Sequence, residues 1–137
     1  MKTFIICVCM LMLTAIAAQA ELMVIANKSV TQSTLTSQDI KDIFLGNKQY
    51  WNDKSKISVA ALSEGDTAKS FFKTYLGMSP KKYGSMWDEK LYTGGKLSPR
   101  LFKNPKQLID FITQTSGAIG FIDSSSPAKE VIVVDVK

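Results

Sequence analysis

Histidine is absent from the chain, and its only two cysteines, Cys7 and Cys9, fall within the first ten residues. Without them the body of the protein has no imidazole base, no thiolate nucleophile, no disulfide and no common zinc ligand set. The acidic residues show no spacing that marks a catalytic pair, so no catalytic residue, metal site or cofactor is expected and the chain reads as a non-enzyme. No long charge run occurs either. Lys81-Lys82 is the one adjacent basic pair among 17 Lys and Arg, against 12 Asp and Glu. Scattered charge of this kind excludes a nucleic-acid-binding stripe and supports only mild attraction to anionic solutes or acidic surfaces.

The longest apolar run lies at the start. Lys2 precedes an apolar stretch from Phe4 to Ala17, followed by Ala18-Gln19-Ala20. A positive residue, a short apolar core and a small-x-small end form the layout of a secretory signal peptide. The stretch is short for a membrane span, the alternative being an uncleaved anchor. Removing residues 1–20 from the 137 leaves 117, with both cysteines and Lys2 gone. A domain of that size buries about two thirds of its unfolded surface without covalent staples. Residues 21–137 are therefore expected to form one exported domain, periplasmic or secreted in a bacterium, with no integral membrane segment once the signal is cleaved.

Within that domain the pattern alternates. "LMVIA" (22–26), "ISVAAL" (57–62), "AIGFID" (118–123) and "VIVVDV" (131–136) are apolar runs of strand length. Between them stand helical signals. Thr36 with Asp39 forms a capping box before Ile40, Ile43 and Phe44, with Gly46 as a stop. Ala68, Phe71, Phe72, Tyr75 and Leu76 recur at helical spacing up to Gly77. Pro80 sits near the first turn of a third helix with a stripe of Tyr83, Met86, Trp87 and Leu91. Asn104 and Pro105 are the cap and first residue of a fourth, ended by Gly117. "TGGKLSPR" (93–100) reads as loop. Strands alternating with helices predict an α/β sheet covered on both faces. The aromatic stripes read as core, and Gly120 as a strand position packed too closely for a side chain.

The stretch "SEGDTAKSFF" (63–72) is the candidate functional loop, comprising Ser63, Glu64, Gly65, Asp66 and Thr67. A glycine loop entering a helix presents backbone N–H groups and the positive end of a helix dipole, which favour an anion. The two carboxylates oppose that use. One reading makes Ser63-x-x-Asp66 a capping box, or Asp66 the cap itself. The other keeps the loop as a ligand site for a polar solute, a protonated oxyanion or a basic side chain of a partner. Lys28, Lys96 and Arg100 are the cations singled out as able to rebalance an anion site.

Three stretches, "LTSQDIKDIFLGNKQYWNDKSKI", "ALSEGDTAKSFFKTYL" and "LIDFITQTSGAIGFID", together resemble the phosphate ABC transporter substrate-binding proteins. They cover roughly residues 35 to 123, with "DIFLG" before Trp51-x-Asp53 and "GAIGF" as the more specific parts. The resemblance implies a type 2 periplasmic-binding fold, whose full-length members hold an anion between two α/β lobes. The matching stretches look like one lobe only, a single three-layer α/β unit. Placed on the family's Arg-x-Asp-Gly-Ser-Gly-Thr loop, this chain keeps the acid as Glu64 and the first glycine as Gly65. Leu62 stands for the arginine, Asp66 for the serine, and Thr67 and Ala68 for the last two positions. A one-residue shift would bring Thr67 towards the threonine position. The implied function is an exported solute-binding-like protein with an unassigned ligand; the alternative is an envelope interaction or sensory accessory protein that kept the fold. Candidate partners are a small anionic or polar solute, an ABC permease or other envelope protein, and a second copy of the chain.

Overall fold

Six strands and four helices follow one another in the computed structural model, which describes residues 21–94 and 98–137. The signal-peptide reading of residues 1–20, and Lys96, lie outside the described residues. The strands are β1 (Leu22–Asn27), β2 (Thr34–Leu35), β3 (Ser58–Leu62), β4 (Arg100–Phe102), β5 (Ala118–Asp123) and β6 (Val131–Val136). The helices are α1 (Ser37–Phe44), α2 (Asp66–Tyr75), α3 (Pro80–Tyr92) and α4 (Pro105–Gln114).

Helix starts follow the local chemistry. Thr36 Oγ1 accepts from the Asp39 amide while the Asp39 carboxylate accepts from the Thr36 amide, a complete capping box for α1. Ser79 caps α3 and Asn104 caps α4, each followed by proline at the first helical position, where the missing N–H costs nothing.

The sheet runs β2-β6-β1-β5-β3-β4. Strand β1 pairs antiparallel with both β5 and β6, whereas β3 pairs parallel with β5 and β4. The sheet is therefore mixed, and the carboxyl-terminal β6 lies one place in from the edge, covered there by the two-residue β2.

Neighbouring residues of a strand point to opposite faces, and β5 uses both. On one face the Phe121 ring stacks on Phe71 of α2 at 3.9 Å between centroids and lies 6.0 Å from Phe44 of α1. Phe72 meets Phe121 edge-on and Tyr83 of α3 at 4.4 Å. On the other face Gly120 lies under α4: a Cβ there would come within 2.7 Å of Ile112 Cδ1 and 2.9 Å of the Ala60 carbonyl oxygen. Helices α1 to α3 thus cover one face and α4 the other, giving a single three-layer α/β lobe. Burial of both faces is why the central strands read as apolar runs rather than alternations.

Two expectations differ. The segment 93–100 contains no strand signal, yet Arg100 opens β4, a three-residue edge strand held by pairing with β3 rather than by its own composition. Leu91, placed on the inward stripe of α3, is 43% exposed, because α3 buries only Tyr83 and Trp87 and its last turn runs past the core.

Candidate functional site

The loop between β3 and α2 opens at the carboxyl end of β3, where Leu62 pairs with Phe102 of β4. Ser63 stays tied to that edge: its amide and its hydroxyl both donate to the Phe102 carbonyl oxygen, at 2.9 and 3.3 Å. Gly65 follows with φ 93° and ψ 172°, a backbone region essentially reserved for glycine. Nothing lies within 4 Å of where its Cβ would be, so backbone conformation rather than crowding requires glycine here.

Gly65 is the N-cap of α2 and Asp66 the first helical residue. No side chain caps the helix. The capping-box reading of Ser63-x-x-Asp66 is therefore corrected, as is that of Asp66 as cap. Ser63 spends its hydroxyl on β4, and the Asp66 side chain is already past the cap position. The first-turn amides of α2 are left without a side-chain acceptor, the unpaired groups that give a helix start its affinity for anions.

Thr67 is also occupied. Its hydroxyl donates to Asp123 Oδ2 at 2.9 Å, joining the first turn of α2 to the end of β5. Asp123 further accepts from the Ser125 hydroxyl and amide. The hydroxyl of Ser125, then that of Thr67, hold its carboxyl below the ordinary aspartate range. The loop is thus pinned at both ends by side chains, while Glu64, Gly65 and Asp66 between them are exposed.

Ser63, Glu64 and Gly65 border a cleft of about 710 Å³ between α2 and the start of α3, with Lys69, Lys73 and Lys81 along its wall. These lysines form no salt bridge among the described residues. They are the cations that sequence reasoning missed for this loop. The i, i+4 spacing of Lys69 and Lys73 was the available signal, since it puts both on one face of α2. The cations named from sequence go elsewhere. Lys28 pairs with Glu130 at 2.7 Å, and Arg100 lies over the Phe111 ring, lining a different cleft. Leu62, which the resemblance sets against the family's arginine, is 2% exposed and belongs to the core. Among the described residues no group of His, Cys, Asp and Glu is arranged to hold a metal ion, and no helix is long and apolar enough to cross a membrane.

No family model matches the chain, and no curated protein matches it in sequence. Solved structures do match. A putative phosphate ABC transporter substrate-binding protein with bound phosphate from Clostridium perfringens superposes with a TM-score of 0.66 at 19% identity, over 85% of this chain and 45% of that one. An ABC-type phosphate transport receptor from Vibrio cholerae gives 0.64 at 16%, over 85% and 46%. A phosphate binding protein from Stenotrophomonas maltophilia gives 0.62 at 12%, over 86% and 39%. At these identities the likeness is one of fold. The chain spans less than half the length of these structures and resembles a single lobe of the phosphate ABC transporter substrate-binding proteins.

Proposed function

We propose that residues 1–20 are a secretory signal peptide and that residues 21–137 are a periplasmic solute-binding-like domain, not an enzyme, that receives an oxyanion at the start of α2. The observation carrying this reading is the uncapped first turn of α2, which follows Gly65, itself at the border of a cleft with Lys69, Lys73 and Lys81 along its wall. A helix N-terminus favours an anion by about 0.3–1 kcal/mol, and up to about 2 in partly buried geometry. Glu64 and Asp66 oppose it. Both are exposed, so the repulsion falls towards the aqueous value of about 1 kcal/mol at roughly 4 Å rather than the several expected near a protein interior. Lys69, Lys73 and Lys81 are exposed as well, so solvent screens both signs and what favours an anion is the excess of one cation. Phosphate is bound by the Clostridium perfringens protein of the same fold, and phosphate or a related oxyanion is the ligand proposed here.

Titration of the mature domain with phosphate and with sulfate, followed by calorimetry and amide NMR, tests this. Binding is expected in the micromolar range, with the largest shifts at Gly65, Asp66 and Thr67. No heat and no shift with either anion would remove the reading. In that event the alternative stands: an envelope interaction protein that kept the fold and lost the ligand, with a permease, another envelope protein or a second copy as partner. Its motive is the buried Leu62 in the arginine position and the carboxylates at the mouth of the loop.

A further inference from the structure

We propose a second binding site, at the opposite end of β3 from the Gly65 loop, for a small organic anion with a flat apolar body. Two adjoining clefts, of about 300 and about 820 Å³, meet around Gly46, Lys56 and Trp87. The smaller reaches the amino-terminal end of β3 and the start of β4, whereas the candidate loop leaves the carboxyl end of β3. The two sites are therefore separated by the length of the strand, and this inference does not depend on the oxyanion reading above.

Charge and shape both select the ligand. Lys48, Lys56, Lys90 and Arg100 line the paired clefts, and among the described residues no Asp or Glu does. Lys48 has one carboxylate at 3.8 Å, from Asp39; Lys56 and Arg100 form no ion pair among the described residues. A surface with interspersed acids would have neutralised them. Two of the cations are also held in place. Lys90 Nζ lies 4.7 Å above the Trp87 ring and donates to the Leu45 carbonyl oxygen at 3.1 Å, and the Arg100 guanidinium lies 5.6 Å from the Phe111 ring centre. Cations fixed over aromatic faces lose less freedom on binding than free surface lysines.

The floor is apolar. Trp87, Phe111 and Ile57 line the smaller cleft. Gly46 has no side chain where a Cβ would come within 2.7 Å of a Trp87 ring carbon, so the backbone lies directly against the indole edge. An inorganic anion would satisfy the cations and leave this floor wet, and a neutral aromatic would leave the cations unpaired. A carboxylate or phosphate ester carried on an aromatic or similarly flat body satisfies both. The volumes are those of small-ligand pockets, which combine an apolar lining with a few polar anchors.

Phenyl phosphate, with inorganic phosphate and phenol as controls, provides the test in the mature domain. Phenyl phosphate is expected to shift the Trp87 indole resonance, and neither control should do so at the same concentration. The double variant Lys56→Gln, Arg100→Gln should weaken that response at least tenfold. The amide resonances of Gly65 to Thr67 in the ligand-free protein should be unchanged in it. Arg100→Lys, which keeps the charge but not the planar guanidinium, should give an intermediate loss. The proposal is overturned if phenyl phosphate leaves Trp87 unmoved, if it shifts only the Gly65 loop, if phenol or inorganic phosphate shifts Trp87 as strongly, or if a folded double variant binds as before.

Discussion

The hydroxyl of Thr67 donates to the carboxylate of Asp123 at 2.9 Å, joining the first turn of α2 to the end of β5 across 56 residues of sequence. This bond fixes where the candidate loop stands relative to the sheet. It also removes Thr67's side chain from direct ligand binding and leaves the backbone amides of the turn as the donors.

Asp123 should make the protein's acid stability depend on it. Its carboxyl is held below the ordinary aspartate value of 3.8, chiefly by Ser125 and then Thr67. A group whose pKa is depressed on folding stabilises the fold above its unfolded value. That contribution is lost as pH falls through the folded one. The melting-temperature difference between the native protein and Asp123→Asn should therefore be constant above about pH 5 and shrink below 3.8. Thermal melts from pH 7 to pH 2.5 check this; a difference independent of pH would refute it.

Gly65→Ala should destabilise by about 1–3 kcal/mol, through backbone conformation alone, since the space for a methyl group is open. If the loop binds an oxyanion, relaxation of φ would also misalign the first-turn amides. Urea melts report the first effect, and phosphate titration the second.

Gly120→Ala should cost about 1–3 kcal/mol for another reason, overpacking. The added methyl group would meet both Ile112 of α4 and the Ala60 carbonyl oxygen of β3. Trimming Ile112 to valine in the same chain should recover part of the loss. A double-mutant cycle with no coupling would show that the contact is not the cause.

Asn104→Ala should lose about 0.5–2 kcal/mol, because Asn104 Oδ1 accepts from the Gln107 amide and caps α4. Ser63→Ala should lose less. Ser63 caps nothing, and its backbone amide keeps the bond to Phe102 when the hydroxyl is removed. Paired denaturation curves distinguish a cap from an edge tether.

Much of the fold was legible along the chain. Thr36 with Asp39, Asn104 with Pro105, and Pro80 mark the helix starts where they occur. Of the aromatic residues at helical spacing, Phe71, Phe72, Tyr83 and Trp87 belong to the core, while Tyr75 and Phe111 pack against it partly buried. The same local reasoning failed at the candidate loop. Ser63-x-x-Asp66 has the spacing of a capping box, but the parallel pairing of β3 with β4 puts the Phe102 carbonyl oxygen beside Ser63 and draws its hydroxyl away. Arg100 and Lys28 were named as cations for the loop, and the register of β4 and the Glu130 pair hold them elsewhere.

Sequence by itself determined the alternation of strands and helices, two of the four helix caps, and the absence of histidine chemistry, because each is written within a turn or two of chain. Tertiary structure decided the strand order, the mixed pairing around β5, the tether from Thr67 to Asp123 and the cleft that Gly65 shares with Lys69, Lys73 and Lys81. Those depend on which elements bury their apolar faces against one another. A side chain's partner across the sheet is chosen by that packing, not by its neighbours in sequence.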